Sequence, residues 1–153
     1  KAFNTFKGLS HRNEIFYNKY GIKFINDSKA TSFDATQYSL KNNENIFWIV
    51  GGLPKLGDKL KLQKVKKNII KSYIIGKNIN FYKKQITGVL KYKISFTIEN
   101  ALKDIVKDLL SLNQSKATIL LSPASASYDQ FKNFSERGDH FKRMTLKYAR
   151  KIL

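Results

Sequence analysis

Cysteine is absent from the 153-residue chain. Disulfides and thiolate metal sites are therefore excluded, and a reducing setting suits the sequence without being demanded by it. No apolar run approaches the roughly 20 residues that a bilayer-spanning helix needs, and no signal peptide opens the chain. Internal repeats and low-complexity segments are also missing. Acids are scarce, 11 against 29 Lys and Arg, for a net charge of +18. That excess raises nucleic acid or an anionic membrane as partners. Arginine, however, is confined to Arg12, Arg137, Arg143 and Arg150. The lysines are spread along the chain beside abundant Asn and Ile, as compositional drift alone would produce. Aromatics do not interleave with them as in an RNA-stacking sheet. Diffuse lysine of this kind reads first as a solvated surface.

What is present suffices for one folded domain, with 42% of residues apolar. The opening, KAFNTFKGLSHRNEIF, begins mid-pattern without an initiator Met and reads as a piece of a longer protein. Residues 1–13 are assigned to a linker or the end of a preceding domain, and 14–153 to the domain itself. Two β-rich runs flank Lys19-Tyr20-Gly21, which predicts a hairpin whose second strand is Ile22 to Asn26. A helix from Phe33 to Lys41 follows, with Ser32 as its N-cap. Ile46 to Val50 is a buried strand. A helix carrying Leu62, Val65 and Ile69 on one face is expected next, then a strand from Ser72 to Ile75. Asn78 to Gln85 is weakly helical, and residues 86 to 96 hold a loop and a short strand near Lys93 to Phe96. Thr97 caps a helix with core face Leu102, Ile105, Val106 and Leu109. Ala117 to Leu121 is a strand, and a last helix runs from about Asp139 with the stripe Phe141, Met144, Tyr148 and Ile152. Strands alternating with helices predict an α/β fold with a mostly parallel sheet, helices on both faces and an antiparallel strand from the hairpin.

Three strands end in polar, turn-rich loops: Asp27 to Thr31, Gly51 to Asp58, and Ser122 to Gly138. In a parallel sheet these open on one edge, where ligands of open α/β sheets collect. They carry Asp27, Lys29, Thr31, Lys55, Ser125, Ser127 and Arg137, a set suited to a small polyanion. Gly51-Gly52 would let the backbone approach a ligand with Lys55 pairing its charge. A tight strand-to-helix turn with a solvated lysine explains the same residues. Asp27 is either a ribose acceptor or an N-cap or Asx turn. Ser122 to Ser127 is a cradle for a carboxylate or a loop of small residues for close packing. No catalytic triad and no metal-ligand spacing is readable, and His11 and His140 read as surface or hydrogen-bonding residues.

In order and spacing, four motifs resemble the C-terminal domain of the Mur ligases. They are Gly8-Leu9-Ser10-His11-Arg12-Asn13-Glu14, Phe24-Ile25-Asn26-Asp27-Ser28-Lys29-Ala30-Thr31, Gly51-Gly52-Leu53-Pro54-Lys55-Leu56-Gly57-Asp58 and the whole of Leu121 to Gly138. The last is the most specific and resembles the branch that adds D-glutamate. The resemblance implies a Rossmann-like three-layer domain that binds the incoming amino acid. A UDP-sugar domain and a central ATPase domain would lie elsewhere in the same protein, in a bacterial cytoplasm, as a monomer. It implies an ATP-dependent C–N ligase of peptidoglycan precursor synthesis, linked to cell shape and division, that activates UDP-N-acetylmuramoyl-L-alanine as an acyl phosphate. ATP and Mg2+ would be bound mainly by the central domain, so this piece alone would be inactive. No membrane partner is implied. By motif, Lys55 and Thr31 would hold the side-chain carboxylate of D-glutamate. Ser127 and the Phe134 backbone would take the α-carboxylate, with Tyr128 lining the pocket. Arg12 would reach the ATP phosphates and Asp27 the ribose, with Lys29 in the same site. Lys55 and Arg12 are the residues placed nearest the chemistry. Ser10, Ser32, Ser125 and Ser135 depart from the usual pattern, and none of them removes a charged ligand group. The rivals are another Mur-type or folylpolyglutamate-type ligase domain and a basic nucleic-acid-binding α/β module.

Overall fold

The hairpin forms because its two turn residues accept left-handed backbone, Tyr20 at φ 54° and Gly21 at φ 81°. It joins β1 (Glu14–Lys19) to β2 (Ile22–Asn26) in antiparallel register. In this computed structural model, which describes residues 8–150, the remaining elements follow in sequence. They are α1 (Phe33–Lys41), β3 (Ile46–Gly51), β4 (Ile69–Ile75), α2 (Ile79–Ile86), β5 (Tyr92–Phe96), α3 (Ile98–Ser111), β6 (Ala117–Leu121) and α4 (Phe134–Ala149). The six strands order as β1-β2-β6-β3-β4-β5, and every pair except β1–β2 is parallel. This is the expected α/β three-layer architecture.

Strand alternation divides the core in two. Phe47 and Ile49, Tyr73 and Ile75, and Ile119 and Leu121 face α3 and α4, meeting Ile98, Leu102, Ile105 and Phe141. Trp48 and Val50, Ile74 and Leu120 face α1 and α2, meeting Phe33, Leu40, Tyr82 and Ile86. β3 and β6 are wholly buried because both faces are covered, which is why they read as unbroken apolar runs.

Local capping chemistry reproduces the predicted starts. Ser32 Oγ accepts from Ala35 N, and Thr97 Oγ1 accepts from Asn100 N. Two expectations fail. No helix carries Leu62, Val65 and Ile69: a single turn at Leu62 and a 3₁₀ turn at Lys66–Asn68 bury Leu62 and Val65. Ile69 instead begins β4, pairing with Ile46 of β3. An i, i+3 apolar pair needs only one turn, and strand pairing claims the third residue. The last helix also starts five residues early, at Phe134, capped by Asn133 Oδ1 accepting from Glu136 N. Gly138 therefore lies inside it. Ile152 and residues 1–7 fall outside the described residues. Of the predicted linker, residues 8–13 form a turn held to the domain by Lys29 N donating to His11 O.

Candidate functional site

β2, β6 and β3 lie side by side at the centre of the sheet, so their three loops emerge together at its C-terminal edge. Backbone and side-chain bonds join them. Leu53 and Ala126 exchange N–H···O bonds of 2.9 and 3.2 Å as an isolated bridge. Ser28 Oγ donates to Phe134 O at 2.7 Å. Arg137, 1% exposed, donates through Nε to Ser28 Oγ and through Nη2 to Ser28 O. Arg137 is the frame that fixes the Asp27–Thr31 loop against the first turn of α4. Its Nη1 has no partner among the described residues, and burial pushes the guanidinium down to about 10, against the pull of Asp129 and Tyr82.

Protein contacts by themselves require glycine at positions 51 and 52. Gly51 sits at φ 133°, where a Cβ would lie 2.1 Å from Ile75 O; Gly52 sits at φ 143°, where one would lie 2.4 Å from Ala126 O. No helix follows them, so the strand-to-helix turn does not form either. The next turn, Lys55 to Asp58, is closed by Lys55 N donating to Asp58 Oδ2 and Asp58 N to Lys55 O. Lys55 is exposed, and among the described residues it joins no ion pair.

The Ser122–Ser127 segment is more closed than a free cradle. Ser122 Oγ donates to Asp27, Ser125 Oγ to Pro123 O, and Ala124 is held at φ 60°. Ser127 is 2% exposed, and its carbonyl accepts from Gln130 and Phe131. Tyr128 projects at 70% exposure. Phe134 is the first residue of α4, where backbone N–H groups lack intrahelical partners and the helix dipole favours an anion. Thr31 is half-buried beside Ser32.

Arg12, Asn13, Asp27, Lys29, Ala30, Ala35, Tyr38 and Ser39 line a cleft of about 580 Å³. Lys29 Nζ stands 5.4 Å from the centroid of the Phe134 ring, a cation–π contact that links this cleft to α4. Asp27, only 5% exposed, neither caps a helix nor makes an Asx turn. Asn13 N donates to its Oδ1, and Ser39 Oγ and Ser122 Oγ donate to its Oδ2. Burial pushes its carboxyl up, against these hydrogen bonds and the Arg12 charge. Ser39 was invisible in the sequence because nothing local marks it; its helical position on α1 places it under Asp27. His11 is buried rather than on the surface, with Asn26 Nδ2 at 2.9 Å from its Nδ1.

No protein-family model matches the chain. Three curated relatives carry the same name, UDP-N-acetylmuramoylalanine--D-glutamate ligase. Those of Nitrobacter winogradskyi, Rhizobium meliloti and Rhodopseudomonas palustris are 41%, 39% and 40% identical over 140, 140 and 141 residues. Each match covers 92% of this chain and 30% of the relative, so the chain spans under a third of the length of the proteins it matches. Over nearly its whole length, at about 40% identity, this chain matches one part of the UDP-N-acetylmuramoylalanine--D-glutamate ligases.

Proposed function

We propose that this chain is the C-terminal, D-glutamate-binding domain of an ATP-dependent ligase that joins D-glutamate to UDP-N-acetylmuramoyl-L-alanine. The observation that carries the reading is the union of three loops on one sheet edge, through the Leu53–Ala126 bridge and the Ser28–Phe134 bond. Residues far apart in sequence there form one anion-receptive surface. In this reading Lys55 and Thr31 hold the side-chain carboxylate of D-glutamate. Ser127 and the N–H of Phe134 hold the α-carboxylate, and Tyr128 closes the pocket. Arg12 and Lys29 meet ATP phosphates, and Asp27 accepts from the ribose. ATP, with Mg2+, supplies the phosphoryl group that makes the acyl carboxylate reactive; most of its contacts belong to the rest of the ligase. The amine of D-glutamate attacks the acyl carbon, and phosphate departs from the tetrahedral intermediate. The contribution of this domain is to fix both carboxylates so that the amine points at that carbon, an entropic and electrostatic role.

The test is an NMR titration of the 153-residue chain with D- and L-glutamate. D-glutamate should move the amide signals of Thr31, Lys55, Ser127 and Phe134 more than L-glutamate does. In the complete ligase, Lys55→Ala should raise KM for D-glutamate by about 10- to 100-fold, the worth of one charged hydrogen bond. Equal response to both enantiomers, or an unchanged KM, would defeat the assignment.

A further inference from the structure

We propose that Ser39 and Ser122 are positioning residues that pre-set the Asp27 carboxylate, leaving it a single acceptor site for one ribose hydroxyl. The proposal rests on the reading of Asp27 as a nucleotide contact. An ionised carboxylate has about four acceptor positions. Three are taken from within the protein. Oδ2 accepts from Ser39 Oγ at 2.8 Å and Ser122 Oγ at 2.7 Å, and Oδ1 accepts from Asn13 N at 3.0 Å. The remaining position is on Oδ1, the oxygen on the Asn13 side of the cleft that Asp27 helps to line.

The donors come from separate elements, so they over-determine the carboxylate. Ser39 belongs to α1, Asn13 to the turn before β1, and Ser122 follows β6. Ser122 is itself pinned, because its carbonyl accepts from Trp48 Nε1 at 2.8 Å and its N–H donates to Ile49 O. Ser39 Oγ also lies 3.2 Å from Asn13 Oδ1, but its one proton goes to the closer Asp27 oxygen. Both hydroxyls favour the charged carboxylate, as does the Arg12 guanidinium, while burial opposes it. Lys29 lines the same cleft. A ribose diol meeting this group cannot place both hydroxyls on it.

The experiment records the pH titration of the Asp27 carboxyl by carbon NMR in the 153-residue chain and in Ser39→Ala, Ser122→Ala and Ser39→Thr. Because most ATP contacts belong to the rest of the ligase, the same variants in the complete ligase are then titrated with ATP, 2′-deoxy-ATP and 3′-deoxy-ATP. Each alanine variant should move the Asp27 midpoint upward and weaken ATP about tenfold, one hydrogen bond to a charged group, whereas Ser39→Thr keeps both. One deoxy analogue should bind like ATP and the other about tenfold more weakly. An unmoved midpoint in the alanine variants, or equal loss with both analogues, overturns the proposal. If the midpoint moves in the variants but ATP leaves Arg12, Asp27 and Lys29 signals unchanged, the positioning role stands and the nucleotide reading falls. Should Ser122→Ala fail to fold, the Ser39 pair decides alone.

Discussion

Replacing Gly138 by alanine is the sharpest test of how the site is built. On helix propensity alone the change should stabilise the protein by about 1 kcal/mol, since Gly138 lies inside α4. The packing predicts the reverse. A Cβ there would sit 2.2 Å from His11 Nδ1 and 2.9 Å from both His11 Cε1 and Asn26 Oδ1. The ring would have to retreat by roughly 1.3 Å to reach ordinary contact distance. It has little room, because His11 is buried and its Nδ1 pairs with Asn26 Nδ2. Its N–H donates to Glu14 Oε2 and its carbonyl accepts from Lys29 N. Overpacking costs about 1–3 kcal/mol and the strained buried hydrogen bond about 1 more. Set against the propensity gain, Gly138→Ala should destabilise by about 1–3 kcal/mol. Urea unfolding measures this directly, and a second background isolates the cause. In His11→Ala the ring is gone and only the 2.9 Å approach to Asn26 Oδ1 remains, so adding Gly138→Ala should cost clearly less there, within about 1 kcal/mol of neutral. A stabilising effect in the native background, or the same cost in both, would refute the argument that His11 is why this helix position is glycine.

Two further outcomes follow from the charges. Arg137→Lys keeps the charge but loses the two-pronged grip on Ser28, so it should cost about 2–4 kcal/mol and speed amide exchange from Ser28 to Thr31. Unchanged exchange would show that the grip is not what orders that loop. Residues 45–98 hold twelve lysines and one acid, Asp58. Among the described residues, only Lys71 and Lys93 of these form ion pairs, with Asp108 and Asp104 of α3. Reversing an unpaired member, as in Lys64→Glu or Lys66→Glu, should therefore raise thermal stability at low ionic strength by about 0.2–1 kcal/mol. The gain should vanish in 1 M salt, where the screening length is about 3 Å. Equal destabilisation at both salt levels would show that these side chains pack rather than repel.

The elements legible from sequence were those whose determinants are local. Ser32 and Thr97 mark helix starts because a cap needs only the next three residues. Tyr20-Gly21 marks the hairpin because the turn needs only its own backbone freedom. Ile46–Val50 and Ala117–Leu121 announced burial on both faces by having no polar alternation. The segment from Leu62 to Ile69 misled for a matching reason. Its periodicity was real at two positions, but pairing with β3 decided the third.

The site divides along the same line. From sequence alone came the α/β class, three loops destined for one edge, and the residues Asp27, Lys55 and Ser127 that the family resemblance singled out. Tertiary structure decided which of those groups are already engaged. The glycines of the second loop answer to Ile75 and Ala126, His11 is buried against Gly138, and Ser122 is bonded to Asp27. It also brought in Ser39, 12 residues from Asp27 along the chain, and made Arg137 a buried brace. Such roles depend on which side chains the sheet order brings within 3 Å of one another. Hydrogen bonds between distant segments leave no periodicity in either segment, so only the assembled sheet reveals them.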